Sequence, residues 1–233
     1  MIFAACGASV VGPRHLSRSE ANQDAVLLAG CRGGWLAAVA DGLGSRPLSG
    51  IGAREACRAA RRVLRREPRV AVEPLLGAVH RTWLQAIRPR SADSVATTLI
   101  LGKVDDRGRA LVAQIGDGLA LVREGGRFRC LTPPREGFGN ETMALTAEHR
   151  PDRWSWTRAS LSQPGDGLVL MTDGVGDDLA RDGLPDFMEA LHRDVARRGR
   201  RRGGRWLAAE LTDWATPMHG DDKSLVAIFR ISP

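Results

Sequence analysis

Aspartate follows an apolar run at three separate places in this chain of 233 residues. The runs are WLAAVADG at 35–42, LVAQIGDG at 111–118 and GLVLMTDG at 167–174. Such a run predicts a buried strand, whereas an unpaired carboxylate resists burial because it loses its hydration. One Asp-Gly after a strand predicts a turn. Three of them, together with NQDA at 22–25 and GDDKS at 220–224, indicate that these carboxylates do more than form turns.

The acidic residues at predicted strand ends are candidate metal ligands. They are Asp24, Asp41, Asp117, Asp173 and Asp221. If these ends meet at one rim of a sheet sandwich, the carboxylates repel one another unless cations neutralise them. Oxygen ligands suit hard cations such as Mg²⁺ and Mn²⁺. Two such ions side by side activate a water and hold a phosphoryl group.

The order of elements predicts a layered α+β fold in which one sheet packs on another. Strands are expected at 3–11, 24–30, 33–41, 94–104, 109–118, 119–126, 127–132, 165–174 and 222–231. Helices are expected at 50–66, at 72–87 and over much of 177–214, with interruptions at Pro185 and at an Arg/Gly stretch. No linker is evident, so we expect a single domain over 1–233 with an irregular, flap-like segment at about 133–160.

Charge and hydropathy limit the classes of partner. Lys and Arg number 34 against 27 Asp and Glu, a net charge of +7. Much of the excess lies in RRVLRREPR (61–69) and RRGRRRGGR (197–205), for which a solvated helix face and a flexible loop are the preferred interpretations. Such runs can attract nucleic acid, but these contain no interleaved aromatic residues for stacking on bases. No apolar run reaches 18 residues and the N-terminus lacks a basic start, so we expect a cytoplasmic protein without a membrane span.

Other catalytic chemistries find little support. No serine lies in a nucleophile elbow, and no Walker or Rossmann glycine fingerprint is present. The five histidines show no metal-ligand spacing, and His219, beside GDD, is a candidate for a site role.

Six segments resemble, in order and spacing, the metal-dependent serine/threonine protein phosphatases (type 2C, the PPM family), and most of all their bacterial branch. They are NQDAVLLAG, AAVADGLGS with SGIGAREAC, SVATTLIL, AQIGDGLALV, LVLMTDGVGDDL and GDDKSLVAIF, and they extend over about residues 4–230. The resemblance implies a four-layer αββα sandwich, in which a central antiparallel β-sandwich is flanked by helix pairs. It also implies a binuclear Mg²⁺ or Mn²⁺ site at one end.

The resemblance assigns a role to each candidate ligand. Asp41 would bridge both ions, and the Gly42 carbonyl would bind one of them. Asp173 and Asp221 would hold the other ion. Asp117, together with Asp173, would bind a third and weaker ion.

Asp24, Asp41 and Arg18 would be the catalytic residues. Asp24 would reach the metal waters or a metal directly, and Arg18 would bind the phosphate. Arg18 lies six residues before Asp24, where the family has five, so Arg14 and His15 stay open as alternatives.

Two further positions depart from the family pattern. Leu43 stands where eukaryotic members often have a histidine, which leaves the general acid unassigned. Asp222 replaces the usual asparagine after Asp221, and its charge would tighten metal binding or form a salt bridge.

The implied reaction is in-line hydrolysis of phosphoserine or phosphothreonine by a metal-activated water. The implied partner is a phosphoprotein, namely the target of a Ser/Thr kinase or the kinase itself; we expect a monomer that binds neither nucleic acid nor membrane. The alternative is a catalytically weak or inactive regulatory module with the same fold. A nucleic-acid-binding protein, driven by the arginine runs, is the third class.

Overall fold

The computed structural model describes residues 3–66, 71–133, 143–214, 216 and 219–232. Its strands are β1 (Phe3–Val10), β2 (Asp24–Cys31), β3 (Gly34–Asp41), β4 (Leu99–Val104), β5 (Arg109–Ile115), β6 (Leu119–Glu124), β7 (Arg127–Cys130), β8 (Ser155–Ser160), β9 (Gly167–Met171) and β10 (Lys223–Arg230). Its helices are α1 (Pro13–Ser17), α2 (Ser49–Arg66), α3 (Val72–Ile87), α4 (Asp173–Gly176) and α5 (Leu184–Asp213), with 3₁₀ turns at Asp93–Val95, Pro151–Arg153 and Arg181–Gly183.

The strands form two five-stranded antiparallel sheets. One has the order β1-β10-β9-β6-β7, and the other has the order β2-β3-β4-β5-β8. Apolar side chains from both inner faces, including Val39, Ile100, Leu170 and Ile228, form the core between the sheets. This is the central antiparallel sandwich that the sequence predicted.

Helices cover both outer faces, which completes the four layers. Helices α2 and α3 bury their apolar sides on the sheet that begins with β2. On α2 the buried stripe includes Ala53, Ala56, Ala60 and Leu64, the three-to-four-residue spacing of an amphipathic helix. Helix α5 covers the other sheet. The predicted αββα class is confirmed.

Helix α5 differs in detail from the expected interrupted segment. Pro185 lies in its first turn, where proline costs no hydrogen bond, and so does not interrupt it. The break falls at Gly199, whose φ of 64° divides α5 into two helical parts, and so it lies within the Arg/Gly stretch where an interruption was predicted. These two parts are the helix pair on this side of the sandwich.

The arginine runs have two different outcomes. The expectation of a solvated face holds for α2, where Arg61, Arg62, Arg65 and Arg66 are exposed. The expectation of a flexible loop at 197–205 is wrong, because these residues belong to α5. Arg200 of that run donates to the Leu28 carbonyl at 2.9 Å and ties the helix to β2.

Two predicted segments differ in their bounds. Residues 94–104 are not one strand, since a 3₁₀ turn at Asp93–Val95 precedes β4. The prediction of an irregular segment over 133–160 is wrong for Ser155–Ser160, which form β8 and pair with β5. Residues 134–142, including GFGNET, lie outside the described residues. Among the residues that are described, no helix has the length and apolarity to cross a membrane.

Candidate active site

The strand ends that carry aspartate converge at one end of the sandwich. Asp24 opens β2 and Asp41 closes β3, and antiparallel pairing places them opposite one another. Asp117 follows β5, and Asp173 follows β9 as the first residue of α4. One carboxylate oxygen from each of Asp41, Asp117 and Asp173 lies within 4.8 Å of the others. The structure therefore brings three of the predicted ligands into one cluster.

Two threonines hold the backbone of Asp41. The Asp41 N–H donates to Thr98 Oγ1 at 3.0 Å, and Thr97 Oγ1 donates to the Asp41 carbonyl at 2.8 Å. Thr97 also forms isolated bridges with Gly42 and Leu145, and the regular pairing of β4 begins at Leu99. The sequence contained the signal in SVATTLIL, but its two threonines had no predicted role.

Asp24 lies behind Asp41 and does not line the main cavity. It is 5% exposed, and its Oδ2 accepts a bond of 2.8 Å from Thr172 Oγ1. Burial raises the pKa of Asp24 to about 7, although bonds from Ser224 and Thr172 oppose the rise. Asp24 also shares a side-chain hydrogen bond with Asp41. Thr172 is a second residue that the sequence reasoning missed.

The electrostatics of the cluster favour a cation. The pKa of Asp41 is raised well above its usual range, first by burial and then by the charges of Asp24 and Asp173. Burial, with the charges of Asp117 and Asp221, raises the pKa of Asp173 to about 6. Each carboxylate therefore opposes the ionisation of its neighbours, and a cation among them would relieve this repulsion.

Asp221 lies at the edge of the cluster. Its Oδ2 accepts a 2.8 Å bond from Arg14 Nη2, and its charge reaches both Asp41 and Asp173. A different group of close ligand atoms joins Asp221 to His15 and Asp222. Of the predicted ligands, Asp221 and Asp24 thus lie outside the tight group of three.

Asp222 connects three segments that support the site. Its Oδ1 accepts from the Gly12 N–H and its Oδ2 from the Gln23 N–H, both at 2.7 Å. His15 Nδ1 lies 2.9 Å from the same Oδ2. The carboxylate is 2% exposed, so these partners compensate its burial. The contact with His15 is compatible with the salt-bridge alternative for Asp222. His15, which was an alternative for phosphate binding, therefore lies against Asp222.

Close packing explains the glycines beside the aspartates. A Cβ on Gly42 would lie 2.6 Å from the Ser49 carbonyl carbon, and one on Gly174 would lie 2.0 Å from the Asp222 carbonyl oxygen. In the structure, their lack of a side chain lets the segments that carry the aspartates pack against one another.

A cavity of about 990 Å³ opens onto the cluster. Asp41, Gly42, Asp117, Asp173 and Asp221 all line it. Both arginine candidates for phosphate binding, the exposed Arg18 and Arg14, line it as well. Arg14 is bonded to Asp221, whereas Arg18 has no carboxylate at ion-pair distance among the described residues.

The profile of the protein phosphatase 2C family matches residues 11–214. The chain belongs to this family. The enzyme class expected from the sequence, a metal-dependent phosphoprotein phosphatase, is therefore confirmed. No curated protein matches the sequence.

Solved structures of phosphatases share the fold of this 2C family member. The catalytic domain of the serine/threonine phosphatase PstP, in complex with two manganese ions, has a TM-score of 0.64 and 20% identity over 99% of each chain. PstP/Ppp of Mycobacterium tuberculosis has a TM-score of 0.64 and 19% identity over 100% of each chain. PppA of Pseudomonas aeruginosa, described as a regulatory component of T6SS, has a TM-score of 0.65 and 19% identity over 99% of each chain.

The donor set fits the divalent ions that the 2C family implies. The three clustered donors are carboxylate oxygens, which are the ligands that Mg²⁺ and Mn²⁺ prefer. A second indication of a cation site is that neighbouring carboxylate charges raise the pKa of both Asp173 and Asp41.

His219 lies in a second cavity of about 720 Å³ beside the same carboxylates. Its Nδ1 contacts the buried carboxylate of Asp178, which also lies 3.7 Å from Lys223 Nζ. Asp173 and Asp221 line this cavity too, so His219 lies near the predicted ligands, and its role in the site stays a prediction.

Proposed function

We propose that this chain is a protein serine/threonine phosphatase that hydrolyses phosphoserine and phosphothreonine at a binuclear Mg²⁺ or Mn²⁺ site. The observation that carries the proposal is the convergence of Asp41, Asp117 and Asp173 within 4.8 Å at the floor of an open cavity. We also propose that residues 1–233 act as a single phosphatase domain.

The predicted ligands have distinct places in this proposal. Asp41 would hold both ions, and the Gly42 carbonyl would hold one of them. Asp173 and Asp221 would hold the other ion, and Asp117, together with Asp173, would serve a third, weaker ion. Bound Mg²⁺ or Mn²⁺ would supply a Lewis acid and an activated water for attack on phosphorus. The pair of manganese ions named for PstP supports the same ion number in this chain.

The chain's own residues would orient the reactants. The hydrogen bonds of Thr97 and Thr98 with the Asp41 backbone would position the Asp41 carboxylate in the cavity. Asp24, held by Thr172, would keep Asp41 in place from behind. Arg18 lies at the cavity wall with no carboxylate at ion-pair distance in the described part of the chain, and we assign it to the phosphoryl oxygens because arginine binds them in a forked geometry.

The alternative is a catalytically weak or inactive regulatory module. Leu43, which lines the cavity where a histidine often stands in eukaryotic members, is the feature that favours it. The presence of all five aspartates at one end of the sandwich favours the active enzyme.

We propose a phosphoprotein partner, either the target of a Ser/Thr kinase or the kinase itself. We further propose a cytoplasmic monomer that binds neither nucleic acid nor membrane. The manganese-bound PstP catalytic domain supports the comparison with bacterial signalling phosphatases.

The test is hydrolysis of p-nitrophenyl phosphate and of a phosphothreonine peptide with Mn²⁺, with Mg²⁺ and with excess chelator. We expect metal-dependent turnover that Asp173→Asn abolishes. Asp106→Asn is the matched control, because it makes the same change on the exposed turn between β4 and β5, away from the cavity. Folded protein that binds Mn²⁺ in calorimetry but hydrolyses neither substrate would favour the regulatory module.

A further inference from the structure

Arginines dominate the walls of the main cavity above the aspartate cluster. Those that line it are Arg14, Arg18, Arg46, Arg54 and Arg153. Apart from the proposed metal ligands, the only carboxylates in the described lining are those of Glu20 and Asp93. The walls therefore carry a local positive excess that faces the site from several directions.

Three of these arginines lie apart from the proposed phosphate site, and we call them the outer arginines: Arg46, Arg54 and Arg153. Arg46 precedes α2, Arg54 lies in its second turn, and Arg153 ends the 3₁₀ turn at Pro151–Arg153. Arg153 is distant in sequence from the other two, but all three line one cavity. Their convergence is therefore a property of the tertiary structure.

The outer arginines have no carboxylate at ion-pair distance among the described residues. Elsewhere in the same part of the chain, arginines do find partners: Arg58 pairs with Glu55, and Arg150 pairs with Asp152. Arg46 and Arg54 are exposed, so their guanidinium groups are free to meet a ligand. Guanidinium groups bind carboxylates and phosphates through paired hydrogen bonds.

The size of the cavity indicates a ligand larger than one phosphoryl group. Its volume of about 990 Å³ matches the upper end of the range for sites that enclose whole drug-sized ligands, about 300–1,000 Å³. A phosphoryl group at the aspartate cluster would leave room for the residues that flank it. A cleft lined by one sign of charge concentrates ligands of the opposite sign.

We propose that the outer arginines bind acidic side chains that flank the phosphorylated residue, so that the preferred substrate is a phosphoserine or phosphothreonine in an acidic segment. This inference rests on the proposed phosphatase function and adds the substrate class. Arg46, Arg54 and Arg153 are then specificity-determining residues that contact the substrate away from the reacting phosphorus.

The experiment compares two fluorescein-labelled phosphothreonine peptides of equal length, one with glutamates and one with lysines around the phosphothreonine. The value of kcat/KM is measured with Mn²⁺ at about 50 mM and about 300 mM salt, since exposed charge pairs weaken as the screening length falls. The enzymes are the wild type, the double variant Arg46→Glu/Arg54→Glu and Arg65→Glu. Arg65 is the matched control because it is an exposed arginine of α2 outside the cavity, about 16 Å along the helix from Arg54.

We expect the wild type to prefer the glutamate peptide by about tenfold at low salt, as two or three exposed ion pairs provide. High salt should reduce this ratio, and the double variant should bring it to one or reverse it. The readout is the ratio between the two peptides, which cancels any general change in turnover. Arg65→Glu should keep the wild-type ratio.

Equal kcat/KM values for the two peptides would overturn the inference, as would a ratio that the double variant leaves intact. Turnover of p-nitrophenyl phosphate separates this result from a failure of the proposed function, because that substrate has no flanking residues. If the enzyme turns over nothing, fluorescence anisotropy of the same peptides decides the inference: tighter binding of the glutamate peptide, lost in the double variant, supports it, and equal binding refutes it.

Discussion

Removal of one carboxylate from the site should stabilise the metal-free protein. The perturbation is Asp173→Asn, which keeps the shape of the side chain but cannot ionise. The folded protein holds the Asp173 proton with a pKa of about 6, raised from 3.8 by burial and by the charges of Asp117 and Asp221. Because the folded state binds this proton more tightly than the unfolded state, stability falls as the pH rises from about 4 to 6 and stays low above that range.

The magnitude follows from the size of this rise. A shift of about two pKa units corresponds to about 3 kcal/mol of unfolding free energy at pH 8. For a chain of this length, that difference amounts to about 6–12 °C in melting temperature. At about pH 4.5 about two thirds of the effect disappears, because the folded wild type then keeps its proton and ionisation of the unfolded chain is worth only about 1 kcal/mol.

The assay is thermal unfolding of wild type, Asp173→Asn and the control Asp106→Asn, in chelator, at pH 8 and at pH 4.5. Asp173→Asn should melt above the wild type at pH 8, with a smaller difference at pH 4.5, whereas Asp106→Asn should match the wild type at both. Addition of Mn²⁺ at pH 8 should raise the melting temperature of the wild type more than that of Asp173→Asn. If Asp173→Asn in chelator at pH 8 melts at or below the wild-type temperature, carboxylate repulsion does not govern this site.

Three further substitutions test other parts of the structure. Asp166→Ala should lower the free energy of unfolding in urea by about 3 kcal/mol, because its buried carboxylate accepts four backbone N–H groups; an unchanged urea midpoint would contradict this. Asp222→Asn should lower the free energy of unfolding by about 2 kcal/mol in the same assay. Each carboxylate oxygen of Asp222 accepts a backbone N–H, and asparagine replaces one of these oxygens with an N–H₂ group that cannot accept. Gly174→Ala should lower kcat about 100-fold, because its Cβ would lie 2.0 Å from the Asp222 carbonyl oxygen and would displace the neighbouring Asp173; activity equal to wild type would refute the packing argument.

Local patterns predicted most of the elements. Helices α2 and α3 begin and end within one residue of their predicted bounds, because their buried stripes and the breaks around them are local features. The Arg/Gly run was misjudged because glycine and arginine alone resemble a loop. In the folded chain, this run contacts distant strands: Gly203 is buried beside Cys6 of β1, and Arg200 donates to the Leu28 carbonyl of β2.

The Asp-Gly pairs show where local pattern stops being sufficient. Asp41, Asp117, Asp166 and Asp173 all precede glycine, and all four follow or precede an apolar run. Asp166 proves to be structural, since four backbone N–H groups surround it and none of the cavities described at the site includes it. The other three share one cluster. No local feature separates the two classes, because the difference lies in which distant segments each carboxylate meets.

The sequence by itself determined the layered sandwich, the strand ends that carry aspartate and the family, because strand period, helix stripe and motif order are all properties of neighbouring residues. Only the tertiary structure decided which aspartates share a site, that Asp222 faces His15 and that three separate arginines line one cavity. These features depend on antiparallel pairing and on the packing of one sheet on the other. Such packing joins residues as far apart as Asp24 and Thr172.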